Sequence, residues 1–167
     1  RTAARTDAQG NPVLLNQQNR AHWDHLLIRR GLAALDRAER LMQAPGNYCL
    51  QATIAACHAR ALTAEDTDWA RIATLYAKLM QVAPSPVVEL NRAVAVSMHE
   101  GPAAGLAIVQ TLLQDNTLQR YHLLHAVHAD LLQKLGRRDE ARAALQRAAA
   151  LAGNEKERAL LAQRSQA

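Results

Sequence analysis

Four helix starts, at Asn47, Ser85, Arg120 and Asn154, recur along this chain at intervals of 38, 35 and 34 residues. Between them, apolar residues return at steps of three and four, and no stretch alternates as a strand does. A chain punctuated this way can bury its apolar stripes only by packing helix on helix. Composition narrows the packing further. The sequence is 49% hydrophobic, yet it holds no Phe and only 3% aromatics. Ala, Leu and Val must therefore form the core, and small side chains let helix axes approach closely.

The first helix is expected from Arg20, with Trp23, Leu26, Leu27, Gly31, Ala34, Leu35, Ala38, Leu41 and Met42 on its buried face and Pro45-Gly46 ending it. A second runs from Asn47 to about Arg60, and a third carries Trp69, Ile72, Leu75, Tyr76, Leu79 and Met80. Ser85 and Pro86 read as N-cap and first residue of a fourth helix. Gly101 and Pro102 separate the fourth from a fifth. The sixth spans about 118 to 135, the seventh 139 to 152, and Asn154 with Glu157 forms a capping-box start to an eighth.

A helix-turn-helix unit of roughly 34 residues is the tetratricopeptide (TPR) period. The fold expected is all-α, with about eight helices in antiparallel pairs stacked as a TPR-like right-handed superhelix. Residues 1–15 read as an arm or linker, with "DAQGNP" as a turn signal, and 16–167 as the helical domain. Its degenerate repeats cover 47–84, 85–119 and 120–153, with a capping helix at 154–165. In the last repeat Ala129, Ala141 and Ala148 permit a close crossing beside Leu145, and Gly136 takes the turn. Gly101 and Gly105 echo that turn one unit earlier.

Function classes are narrowed by what the residues can do. Cys49 and Cys57 lie eight apart on one helix, about 12 Å at the helical rise, beyond disulfide reach; free thiols suit a reducing cytoplasm. The +5 net charge comes from 17 arginines and three lysines, but most arginines alternate with Asp and Glu as solvated helix faces. Without a basic stripe or stacking aromatics, no direct nucleic-acid contact is expected. No apolar run reaches the ~18 residues of a membrane span.

The three serines, Ser85, Ser97 and Ser165, form no nucleophile motif, and the seven glycines make no phosphate loop. The carboxylate pairs Asp66/Asp68, Asp139/Glu140 and Glu155/Glu157 fall at helix starts, where capping and the macrodipole account for them. His122, His125 and His128 recur at i, i+3, i+6, but each step turns the side chain about 60°, so the three fan apart. They suit the lining of a groove or the capping of polar edges better than a metal site. No cofactor and no catalytic activity are expected. What remains is an interaction surface, for which the candidates are Gln18, Arg20, Asn91, Arg92, His122 and His125. Asn91 and Arg92 either clamp a partner's backbone or carboxylate, or Asn91 satisfies buried carbonyls between helices.

Five blocks carry a family likeness: "NPVLLNQQNRAHWD", "YCLQATIAACHA", "TDWARIATLY", "SPVVELNRAVAVSMHEGPAAGL" and "YHLLHAVHADLLQKLGRRDEA". In this order they resemble the long C-terminal extension of one branch of the extracytoplasmic-function (ECF) RNA polymerase sigma factors, which ends in TPR-like helices. The resemblance implies a non-catalytic regulatory domain that contacts the sigma regions in cis or the RNA polymerase core, with the DNA-reading regions lying before Arg1. A free-standing TPR-type peptide-binding scaffold is the alternative, and a metal or small-molecule sensor using His122 and His125 a third. In the family the first block usually reads Asp-Gln-Asp-Arg before Trp-Asp. Here Gln17 and Asn19 replace the two aspartates, which preserves hydrogen bonding and removes negative charge.

Overall fold

The computed structural model describes residues 4–10, 13–41 and 43–165, except for the side chain of Asn16. Arg1, Asn11, Pro12 and Met42, all invoked in the expectations above, lie outside the described residues. Within them the chain is all-helical, with eight α-helices. These are α1 (His25–Leu41), α2 (Asn47–Arg60), α3 (Trp69–Val82), α4 (Pro86–Glu100), α5 (Pro102–Gln114), α6 (His122–Lys134), α7 (Arg138–Leu151) and α8 (Glu155–Arg164). The chain divides into two compact units, 1–83 and 84–167.

In the first unit α2 packs on both α1 and α3. The first helix begins at His25 rather than Arg20, because Arg20–His22 forms a separate 3-10 turn. Asn19 caps that turn by accepting from the Ala21 amide at 3.0 Å, and Asp24 accepts from the Leu27 amide at 2.9 Å as α1 begins. Asp68 starts α3 the same way, accepting from the Arg71 amide at 2.9 Å. The opening segment is folded back on itself: the Val13 amide donates to the Arg5 carbonyl at 2.8 Å, and Ala4 is buried.

In the second unit each helix from α4 to α8 packs on the next, and α4 also touches α6. Ser85 accepts from the Val87 amide at 3.3 Å with Pro86 opening α4. Gly101, at φ 103°, ends α4, and Pro102 opens α5 directly after it. So short a connection makes the two packed helices antiparallel. Gly136, at φ 75°, makes the corresponding turn between α6 and α7. Gly105 is not part of a turn. It lies inside α5 at its closest approach to α4, where a methyl group would stand 2.5 Å from Ser97 Cβ and 2.7 Å from the Ala93 carbonyl oxygen. The core is Leu, Ala and Val as composition requires: Val109, Leu124, Ala129, Leu132, Leu145 and Ala148 are fully buried. The sixth helix starts at His122, later than expected, because Asp115 caps a 3-10 turn at Asn116–Leu118 that interrupts the chain.

Candidate functional site

Part of the polar run before α1 serves the fold. Arg20 is only 8% exposed. One guanidinium nitrogen donates to the His58 and Ala61 carbonyls, each at 2.7 Å, and the other to Thr67 Oγ1 at 3.1 Å. These acceptors are the end of α2 and the loop toward α3. A cation there meets the negative pole of the helix as well as carbonyls lacking intrahelical donors. The guanidinium also stands 5.0 Å from the centroid of the buried Trp23 ring, within cation–π range. Gln18 donates to the Val13 carbonyl at 3.1 Å. Of these two candidate partner contacts, Arg20 joins distant parts of the first unit, and Gln18 makes a local bond.

Asn91 and Arg92 sit side by side on α4. Asn91 is exposed, which removes the reading in which it satisfies buried carbonyls. The Arg92 guanidinium is engaged by Glu89 through bonds of 2.8 and 2.6 Å, a pairing that raises its pKa.

The histidines of α6 diverge. His125 is buried and its Nε2 lies 3.0 Å from the Gln119 carbonyl, securing the bend before the helix. His122 Nε2 approaches Glu157 Oε1 of α8 at 3.0 Å, outside hydrogen-bond geometry, an ion pair whenever the ring is protonated. The expected capping box is half present: Asn154 accepts from the Lys156 amide at 2.9 Å, while Glu157 is directed to His122. Among the described residues no three His, Cys, Asp or Glu side chains are placed to hold a metal ion.

His128 is set apart by its surroundings. Burial lowers its pKa, helped by the neighbouring His125 and Arg137, while Glu140 pulls the other way. A folded-state pKa below the unfolded value means the unfolded chain binds the extra proton. This contribution to stability is complete above the ordinary histidine pKa of about 6.5 and is lost as pH falls through the lower folded value. Urea titrations at stepped pH should show a loss of stability on acidification that is smaller in His128→Gln; parallel curves would remove His128 as the cause.

Both cysteines are free, Cys49 half-buried and Cys57 buried, and burial raises the Cys57 thiol pKa. That makes Cys57 a poor nucleophile.

The feature sequence reasoning placed wrongly is the apolar face of α1. All of it was expected to be buried, yet of those residues described only Trp23 and Leu35 are. Leu27, Ala34 and Leu41 fall at seven-residue steps along one line of the helix, and all three are exposed, Leu27 at 62% and Leu41 at 81%. The adjoining face, with Ile28, Leu32 and Leu35, borders an apolar groove against Ala52, Ala55, Ala56 and Ala59 of α2. The apolar arc of α1 is wider than one neighbouring helix covers, and its width was visible in the sequence.

Comparison with known proteins adds little chemistry. Residues 1–39 match a family model described as a family of unknown function (DUF6596). An uncharacterized protein of Rhizobium meliloti (strain 1021) is 49% identical over 161 residues, which cover 96% of this chain and 37% of that relative. The chain thus spans little more than a third of the relative it matches. Among the described residues no helix is long and apolar enough to cross a membrane.

Proposed function

We propose that this chain is a non-catalytic regulatory domain of an ECF sigma factor, acting in the cytoplasm through contacts with the sigma regions or the RNA polymerase core. In this reading the antiparallel pairs continue as a TPR-like right-handed superhelix. The observation that carries the interaction role is the solvent-facing line of Leu27, Ala34 and Leu41 on α1. A surface helix normally turns such a stripe inward, and a seven-residue apolar line is the pattern with which one helix accepts another. The assignment to sigma factors rests on the five sequence blocks. Most of the matching relative's length lies outside the match, which leaves room for DNA-reading regions.

Burying two leucines contributes about 1.5–3 kcal/mol each. Leu27→Glu/Leu41→Glu in the full-length protein should therefore alter promoter-dependent transcription in a reconstituted assay by about tenfold or more, with the helical circular dichroism unchanged because both sites are exposed. Transcript levels equal to wild type, both in this variant and after deletion of residues 16–167, would sink the proposal.

A further inference from the structure

We propose that the cleft bounded by the end of α6, the start of α7 and the end of α8 binds a phosphate-class dianion. Its volume is about 340 Å³, and it is lined by Gln133, Arg138, Arg142, Leu145, Arg164 and Ser165. The size suits a phosphate group with a small attachment rather than the surface of a folded partner.

Two arginines of α7 are placed against its stability, although Asp139 and Glu140 in its first turn favour it. Arg138 is the first helical residue, where the partial positive charge of the free amides disfavours a cation. Arg142 follows at i+4, the spacing at which like charges repel along a helix. Among the described residues neither guanidinium has a hydrogen-bond or ion-pair partner. Arg164 comes in from α8, and its partners among the described residues are loose, Gln133 at 3.5 Å and Asp130 at 3.6 Å.

Nearby carboxylates do not relieve this charge. Glu140 is held by Arg137 through two bonds of 2.7 Å, and Asp130 pairs more closely with Lys134, at 2.8 Å. Asp139, the other acid of that turn, does not line the cleft. Three guanidiniums therefore share one concavity whose floor is the fully buried Leu145, with the Gln133 amide as a further donor at the rim. A local arrangement that costs stability without internal compensation marks a site completed by something else. A single carboxylate would neutralise one guanidinium; a phosphate brings up to two charges and three acceptor oxygens, enough for several forks at once. The free α7 amides add to the attraction.

This inference is independent of the sigma-factor reading, and its test measures binding alone. Calorimetric titration of the protein at fixed ionic strength uses pyrophosphate, standing for a free small molecule, and O-phosphoserine, standing for a phosphorylated side chain. One saturable site is expected, with the tighter of the two probes naming the source. Arg138→Gln/Arg142→Gln should weaken binding about tenfold or more, while the unliganded variant melts no lower than wild type because a repulsion has gone. Arg29→Gln/Arg30→Gln, an adjacent arginine pair on α1, far from the cleft in sequence, should bind as wild type does. Failure of both probes to saturate, undiminished binding in the α7 variant, or equal weakening in the α1 control would each overturn the proposal.

Discussion

Arg20→Met is expected to destabilise the first unit by about 3 kcal/mol or more, the largest effect of any single polar substitution here. Methionine fills similar volume, so the loss is electrostatic rather than a cavity. Without the guanidinium, the His58 and Ala61 carbonyls and the Thr67 hydroxyl lose the donors that join the end of α2 to the following loop. Thr67 is buried and the two carbonyls belong to half-buried residues, so water replaces the bonds incompletely, and an unsatisfied buried acceptor costs more than a made bond contributes. Trp23 loses its cation in addition.

The two tryptophans of the chain, Trp23 and Trp69, both lie in the first unit, so their fluorescence reports on it selectively. Urea unfolding followed by tryptophan emission should show the transition at clearly lower denaturant. Arg20→Lys should recover only part of the loss, because a single ammonium cannot span three acceptors with the geometry of a planar fork. An unchanged midpoint in Arg20→Met would show that the buried guanidinium merely offsets its own desolvation.

Gly105→Ala is expected to cost roughly 2–3 kcal/mol in the second unit, although alanine is the better helix former. Propensity alone would favour the substitution by about 1 kcal/mol. Against it stands the overlap of the new methyl with Ser97 Cβ at 2.5 Å and the Ala93 carbonyl oxygen at 2.7 Å. One of these is main chain and the other is a Cβ fixed to it, so no rotamer change relieves the clash and α4 must separate from α5. Gly31→Ala provides the contrast. Gly31 is also helical, but nothing lies within 4 Å of its added methyl, so the same exchange should stabilise α1 by up to about 1 kcal/mol. Thermal unfolding followed by helical circular dichroism reads both. Equal shifts in the two variants would mean that the α4–α5 crossing relaxes freely.

These two sites also show what kind of information the sequence held. The helix boundaries were legible wherever punctuation is local. Ser85-Pro86, Gly101-Pro102, Gly136 and Asn154 act through capping, a fixed proline φ or a positive glycine φ, and each needs only its neighbours. Misjudged starts at Arg20 and near Leu118 arose where a 3-10 turn intervenes, stabilised by the Asn19 and Asp115 caps. The replacement of an expected aspartate by Asn19 is neutral to that local role, since an amide oxygen accepts from the Ala21 amide as a carboxylate would.

The candidate surface was less legible, because availability is a property of the packed chain. Arg20 and His125 look like Arg92 as polar residues beside apolar stripes, yet tertiary structure buries the first two, whereas Arg92 is paired locally with Glu89 three residues earlier on the same helix. In reverse, Leu27 and Leu41 read as core until it is known that α2 covers only part of the α1 arc. The unpaired Arg138 and Arg142 could not be told from the solvated arginines elsewhere without knowing where Glu140, Asp130 and Arg164 point.

By itself, then, the sequence determined an all-helical chain, its core of Leu, Ala and Val, and the residues that begin and end most helices. Periodicity and capping are encoded within a few residues, so they survive being read one segment at a time. Only the tertiary structure decided which glycine makes a turn and which a crossing, which cations are consumed internally, and which apolar line stays uncovered. Those outcomes depend on distances between residues remote in the chain, and packing fixes them.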